Sequence, residues 1–176
     1  MLVLTKDSSD VNTPAGFSQG DARTQNSILG AEWFWKRATG TESGTLTVTK
    51  TSGTALLYAR MYRYTGVIAS GTPYEAAAQD GKGALATITP VDISTAGANR
   101  RVIVLVAEGK SLALGDFTGG TASVPEETPE ATPSLGAGAL GINGLTRASA
   151  GPVDFGIYTL TGSAAHIEFS FALVPA

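Results

Sequence analysis

This chain has one imidazole to work with. His166 is the single histidine among 176 residues, and there is no cysteine. A Ser-His-Asp arrangement would have to use His166, with a nucleophile and an orienting acid brought beside it. No local motif supplies either, and His166 falls among the polar positions of a strand-like stretch, so it reads as a surface residue. Lack of cysteine removes disulfide frameworks, thiolate zinc sites and thiol catalysis. Glu126, Glu127 and Glu130 crowd carboxylates together, as calcium sites do. They lack the alternating order of a preformed calcium loop, and the surrounding prolines hold them extended. They read as a solvated acidic loop, and Asp7 and Asp10 read the same way. Paired carboxylates for glycoside hydrolysis meet in space at about 5–10 Å and leave no spacing signature. Acids are sparse on the strands, so a glycan hydrolase stands last among the functions considered. The expectation is no catalytic residue, no metal and no cofactor.

The row Tyr58, Arg60, Tyr62 and Tyr64 is the feature richest in binding chemistry. Period-2 spacing places all four on one face of a strand. Aromatics and arginine are enriched at interface hot spots, and tyrosine rings also stack on sugars. Three readings stay open at this point: a face packed inside the molecule with Arg60 at its rim, a protein interface, or a glycan-binding face. Trp33 and Trp35 share a face of another strand and read as core or inter-subunit packing.

These residues need strands to hold them, and the composition agrees. Glycine numbers 22, only 15% of residues are charged, and no long amphipathic helix is evident. Strands are expected over 28–37, 45–50, 55–64, 84–89, 100–107, 153–160 and 167–173, with Gly162-Ser163 turning the last pair. Residues 74–83 are ambiguous, and 136–144 form a weak or irregular strand. The stretch from Val102 to Val106 is apolar on both faces, which marks a strand buried on both sides. In the last strand Ile167, Phe169, Phe171 and Leu173 point inward, while His166, Glu168 and Ser170 point outward. Val102, Val104, Leu105, Phe169 and Phe171 are expected in the core. The chain reads as one all-β domain over 1–176, an antiparallel β-sandwich of Ig-like or jelly-roll type, with an extended Pro/Glu-rich loop around 120–135. A net charge of −3 offers no basic excess for nucleic acid. No apolar run approaches the ~20 residues of a membrane span.

Four fragments together resemble a loose group of β-sandwich virion proteins of tailed bacteriophages. They are Thr13-Pro14-Ala15-Gly16-Phe17, Trp35-Lys36-Arg37-Ala38-Thr39-Gly40-Thr41-Glu42, Thr45-Leu46-Thr47-Val48-Thr49 and Tyr62-Arg63-Tyr64-Thr65-Gly66-Val67. Phe17 stands where that group usually has Trp. The likeness spans about residues 3–110 and rests on turn and strand signatures. It implies a structural role on head or tail, no enzyme activity, and no particular binding residues. In that group an opening strand precedes the Pro-x-Gly turn, and here Met1-Leu2-Val3-Leu4 begins inside that region. The resemblance thus implies a missing strand and an unpaired sheet edge. Met1, Leu2, Val3 and Leu4, or the edge beside them, are then expected in a subunit contact.

The expected function is a non-enzymatic capsid decoration protein. Its partners would be other copies of itself and the major capsid protein, with assembly in the host cytoplasm. The alternative is a tail or tail-tip protein whose tyrosine face meets a host glycan.

Overall fold

The computed structural model describes residues 1–5, 10–53, 56–110, 114–118, 132–134 and 138–176. The fold is all-β and antiparallel, and no helix occurs among the described residues. The strands are β1 (Leu2–Thr5), β2 (Ser18–Gln25), β3 (Leu29–Trp35), β4 (Leu57–Arg60), β5 (Tyr74–Ile88), β6 (Ile93–Thr95), β7 (Arg100–Glu108), β8 (Leu114–Thr118), β9 (Thr132–Ser134), β10 (Gly138–Arg147), β11 (Gly151–Val153) and β12 (Ile157–Leu173). A four-stranded sheet runs in the order β2-β3-β1-β4. A larger sheet runs β5-β12-β7-β10-β9, with β8 also paired to β12, and β11 pairs with β6 in a small ribbon.

The sandwich core lies between the two main sheets. Leu2, Leu29, Ala31 and Trp33 of the smaller sheet meet Ile103, Leu105, Ala107, Ile142, Ile167, Phe169 and Phe171 of the larger one. Trp33 stacks on Phe171 with ring centroids 4.3 Å apart, and Tyr74 meets Trp33 edge-on at 4.8 Å. The five residues expected in the core, Val102, Val104, Leu105, Phe169 and Phe171, are all buried.

The larger sheet is covered on its other face as well. Val102, Val104 and Val106 pack there with Ile88, Ile93, Val153, Phe155, Tyr158 and Leu160. β7 is thus buried on both faces, as its two-sided apolar pattern implies. A third cluster of Val3, Val11 and Phe34, joined by Phe17, Val48 and Leu57, seals the outer face of the smaller sheet.

Several expected elements are corrected. Residues 153–160 and 167–173 are not two strands joined by a turn. β12 runs unbroken through Gly162 and Ser163, and its register against β5 shifts between Thr159 and Ala164. A register shift bends a strand without reversing it, so the first half of β12 can swing onto a different neighbour, β8. The ambiguous stretch 74–83 belongs to the long strand β5. Residues 45–50 keep the expected alternation, with Leu46 and Val48 half-buried, but form no ladder strand. Their backbone contacts go to residues 10–12, where Asn12 N–H donates to Thr49 O at 2.9 Å and Val11 bridges Lys50. Of the Pro/Glu-rich loop around 120–135, only Thr132–Ser134 is described, as β9 beside β10. Glu126, Glu127, Glu130 and Asp7 lie outside the described residues.

The N-terminal segment is also corrected. Met1-Leu2-Val3-Leu4 is no unpaired edge, because β1 pairs with β3 on one side and β4 on the other. Leu2 and Val3 are fully buried, which excludes their side chains from an outer contact. The outer strands of that sheet are β2 and β4.

One ion pair ties β5 to the start of β7. Glu75 Oε1 accepts from Arg100 Nε at 2.8 Å and from Ala96 N–H at 2.9 Å. These bonds, Arg100 first, hold the Glu75 carboxyl below its usual range. Its stabilising contribution is therefore full above the ordinary carboxylate pKa and is lost as pH falls through the lower folded value. Glu75→Ala is expected to cost about 1–2 kcal/mol at pH 7 and less at pH 3. Urea midpoints at both pH values check this, and an equal loss at both would contradict it.

Candidate functional site

On the outer face of the larger sheet, antiparallel register sets polar residues side by side. His166 pairs with Lys82 of β5 and Glu108 of β7, and Glu168 pairs with Asp80 and Val106. Ser170 and Asn143 both lie opposite Val104. Paired residues of an antiparallel ladder share a face, so these groups make one polar patch across four strands.

The patch is sealed. His166, Glu168 and Glu108 are fully buried, and Ser170 and Asn143 nearly so. This corrects the surface reading of His166. The alternation along β12 is as expected, but the second layer that includes Tyr158 and Leu160 covers the face on which His166 lies. Burial is only partly compensated. His166 Nδ1 lies 3.3 Å from Ala164 O. Among the described residues, His166 Nε2, both Glu168 carboxyl oxygens and Ser170 Oγ have no hydrogen-bond partner. His166 Nε2 and Glu168 Oε2 are 3.8 Å apart, beyond hydrogen-bond range.

Burial and the nearby Asp80 charge push the Glu168 carboxyl up to about 8. Burial also pulls the imidazole of His166 below its ordinary value. Both groups are therefore neutral near pH 7. At the rim, Lys82 Nζ lies 2.5 Å from Asp80 Oδ2 and Arg23 3.5 Å from Asp80 Oδ1, which holds Asp80 ionised. Adjacent carboxyls with pKa values driven apart are what acid–base chemistry uses, but neither cavity described below opens onto Glu168. No cluster among the described residues gathers three metal-ligating side chains.

The tyrosine row faces the sandwich core. Tyr58, Tyr62 and Tyr64 are half-buried and pack against the core between the sheets. Arg60 is half-buried, with its guanidinium 5.8 Å from the ring centre of Tyr62. Tyr58 and Arg60 belong to β4. Tyr62 and Tyr64 lie beyond its end, so the expected strand over 55–64 is shorter than its pattern. Tyr64 lines an open groove of about 430 Å³ with Arg63, Asn99, Arg101 and Thr146. A smaller cavity of about 180 Å³ touches Asp10, Arg23 and Glu32. Glu32 is buried there and satisfied by Val11 N–H at 2.5 Å and Gln19 Nε2 at 2.6 Å. Trp33 is core, and Trp35 is half-buried against the same cluster, with Arg37 over its ring at 5.8 Å.

Segments 13–17, 35–42 and 45–49 meet at one corner of the molecule. Phe17 N–H donates to Pro14 O at 3.0 Å, which closes the first turn. The Lys36 side chain lies over Gly16 of that turn, and Lys36 Nζ is 3.6 Å from Glu42. Glu42 accepts from the backbone N–H groups of Thr39 and Gly40, and these bonds, Thr39 first, pull its carboxyl down to about 2. Arg37 donates to Ile68 O, just past the fourth fragment, and to Gly71 O at 2.7 Å. Phe17 and Val48 pack in the same outer cluster.

Comparison of the chain with family models, with curated proteins and with solved structures finds no match.

Proposed function

We propose that the chain is a non-enzymatic structural protein of a tailed-bacteriophage virion, a decoration protein bound to the outer capsid shell. The observation that carries this reading is the corner just described. Three of the four resembling fragments, 13–17, 35–42 and 45–49, meet there through a turn closure, side-chain caps and apolar packing, and Arg37 reaches the backbone just past the fourth. That is the behaviour of a building block whose signature residues maintain shape. The burial of His166 supports the non-enzymatic part, because a sealed imidazole reaches no substrate. On this reading the partners are copies of the chain and the major capsid protein, met in the host cytoplasm during assembly.

A second reading, a tail or tail-tip protein that meets a host glycan, is favoured by the groove beside Tyr64. It offers an aromatic ring, two guanidinium groups and neutral hydrogen-bonding side chains. Electron microscopy of intact particles carrying an epitope-tagged chain separates the two. Dense labelling over the head supports decoration, and label confined to the tail tip supports the second reading. Purified particles that lack the chain overturn both.

A further inference from the structure

The outer edge of β4 has a determinate set of outward-pointing backbone groups, which follows from the ladder beside it. Met1 N donates to Phe34 O at 2.8 Å, and Phe34 N donates to Met1 O at 2.8 Å. Met1 and Phe34 are thus a hydrogen-bonded pair. Bonding direction alternates along a strand, so Leu2 and Leu4 turn their N–H and C=O groups toward β4. Their register partners there are Arg60 and Tyr58. Leu57 and Ala59 therefore point their N–H and C=O groups away from β1. Among the described residues no strand pairs with that side of β4.

Other strand edges carry devices that discourage pairing. β2 has a register shift between Gln19 and Asp21 and two charges, Asp21 and Arg23. β5 carries Glu75, Asp80 and Lys82 along with register shifts. β9 contains Pro133. β4 has neither bulge nor proline, and its one charge, Arg60, is its last residue. Two of the most exposed large apolar side chains flank it, Leu56 at 53% and Met61 at 56%.

We infer that β4 is a pairing edge for a second copy of this chain, joined antiparallel across a two-fold axis that passes through Ala59. The register follows from symmetry. Paired residues of an antiparallel ladder share a face and a bonding direction, so an isologous pairing sets residues of equal parity opposite one another. An axis through Ala59 places Leu57 opposite Met61 and Leu56 opposite Tyr62 of the second copy. It also sets Tyr58 opposite Arg60, twice, an aromatic–guanidinium pair across the seam. An axis through Tyr58 would instead set the apolar Leu56 opposite the charged Arg60. Self-complementarity at one register is what selects a second copy over an unrelated strand. The smaller sheet then continues as an eight-stranded sheet through the dimer. The contact is short and falls below the ~1,200 Å² of stable interfaces, so the free dimer is weak and gains strength only where many copies are held side by side.

Sedimentation equilibrium on the full chain, from about 10 µM to about 1 mM, tests the pairing in the range where weak interfaces populate. Dimer is expected at the upper end. Ala59→Pro removes one outward N–H and no bond to β1, an edge position that tolerates proline. Met61→Lys alters only an exposed side chain, so it carries the test if Ala59→Pro fails to fold. Each folded variant is expected to associate at least tenfold more weakly than the parent. A parent monomeric throughout overturns the inference, as does a dimer that persists in folded variants. Either result leaves the virion reading to be judged by microscopy, since location on particles is measured separately.

Discussion

Gly20→Ala is expected to destabilise the protein by about 3 kcal/mol, an unusually large effect for one added methyl group. A Cβ built on Gly20 would lie 2.3 Å from ring atoms of Trp33. That indole cannot yield easily, because it is stacked on Phe171 and closed off by the edge of Tyr74. Trp33→Ala empties the same place from the other side and is expected to cost about 3–5 kcal/mol. The two changes should be strongly non-additive. With the indole gone the new methyl group meets nothing hard, and in the Trp33→Ala background Gly20→Ala should cost under about 1 kcal/mol. Urea denaturation of the parent, both single variants and the double variant completes the cycle. Additive costs would show that Gly20 is not kept small by Trp33.

The two sides of this contact differ in how far they can be read from the sequence. Alternation around Trp33 and Trp35 places both on one face, and the structure puts Trp33 in the core. Nothing local marks Gly20, because its constraint arises where β2 shifts register against β3 and brings the backbone under a ring thirteen positions away in sequence. The first part of β5, residues 74–83, was hidden for a related reason, while its end falls in the expected strand 84–89. The run of Ala, Gly and charged residues has little intrinsic strand preference, and the long neighbour β12 holds β5 extended through ten register pairs.

His166 and Glu168 show a different limit. Alternation correctly separates them from Ile167 and Phe169, but it cannot say which of two faces is wet. A signal was present nonetheless. The apolar run of β7 implies that both faces of its sheet are covered, and β12 lies beside β7. Its polar face must then lie under the same cover. The edge assigned to Met1-Leu2-Val3-Leu4 failed because strand order is a long-range property. Four apolar residues fit a central position as well as an edge, and pairing with residues 29–35 and 57–60 decides between them.

Stability is expected to fall by about 5 kcal/mol between mildly acidic pH and pH 9 on account of Glu168 alone. Its folded carboxyl titrates at about 8, against 4.5 when free of the fold. A raised acid contributes its full stability below the unfolded pKa and loses it as pH rises through the folded one, at about 1.4 kcal/mol per unit. The groups around it set the balance. Asp80 raises the value, while Lys82 and Arg23, both held at Asp80, lower it. Glu108 and His166 lie on the same face, with Tyr158 in the covering layer. His166 acts in the opposite sense, because its folded pKa is depressed below 6.5. Its contribution is full above 6.5 and is lost as pH falls through the lower folded value. Just below pH 6.5 the two slopes oppose each other, and above it only the Glu168 slope remains. Glu168→Gln keeps the shape and removes the ionisation. It should match the parent near pH 5 and exceed it by several kcal/mol at pH 9, with the descending limb gone. Urea midpoints at pH 5, 7 and 9 measure this directly. Parallel profiles for the two proteins would mean that Glu168 ionises in the folded state at little cost, through water or a rearranged cover above the patch.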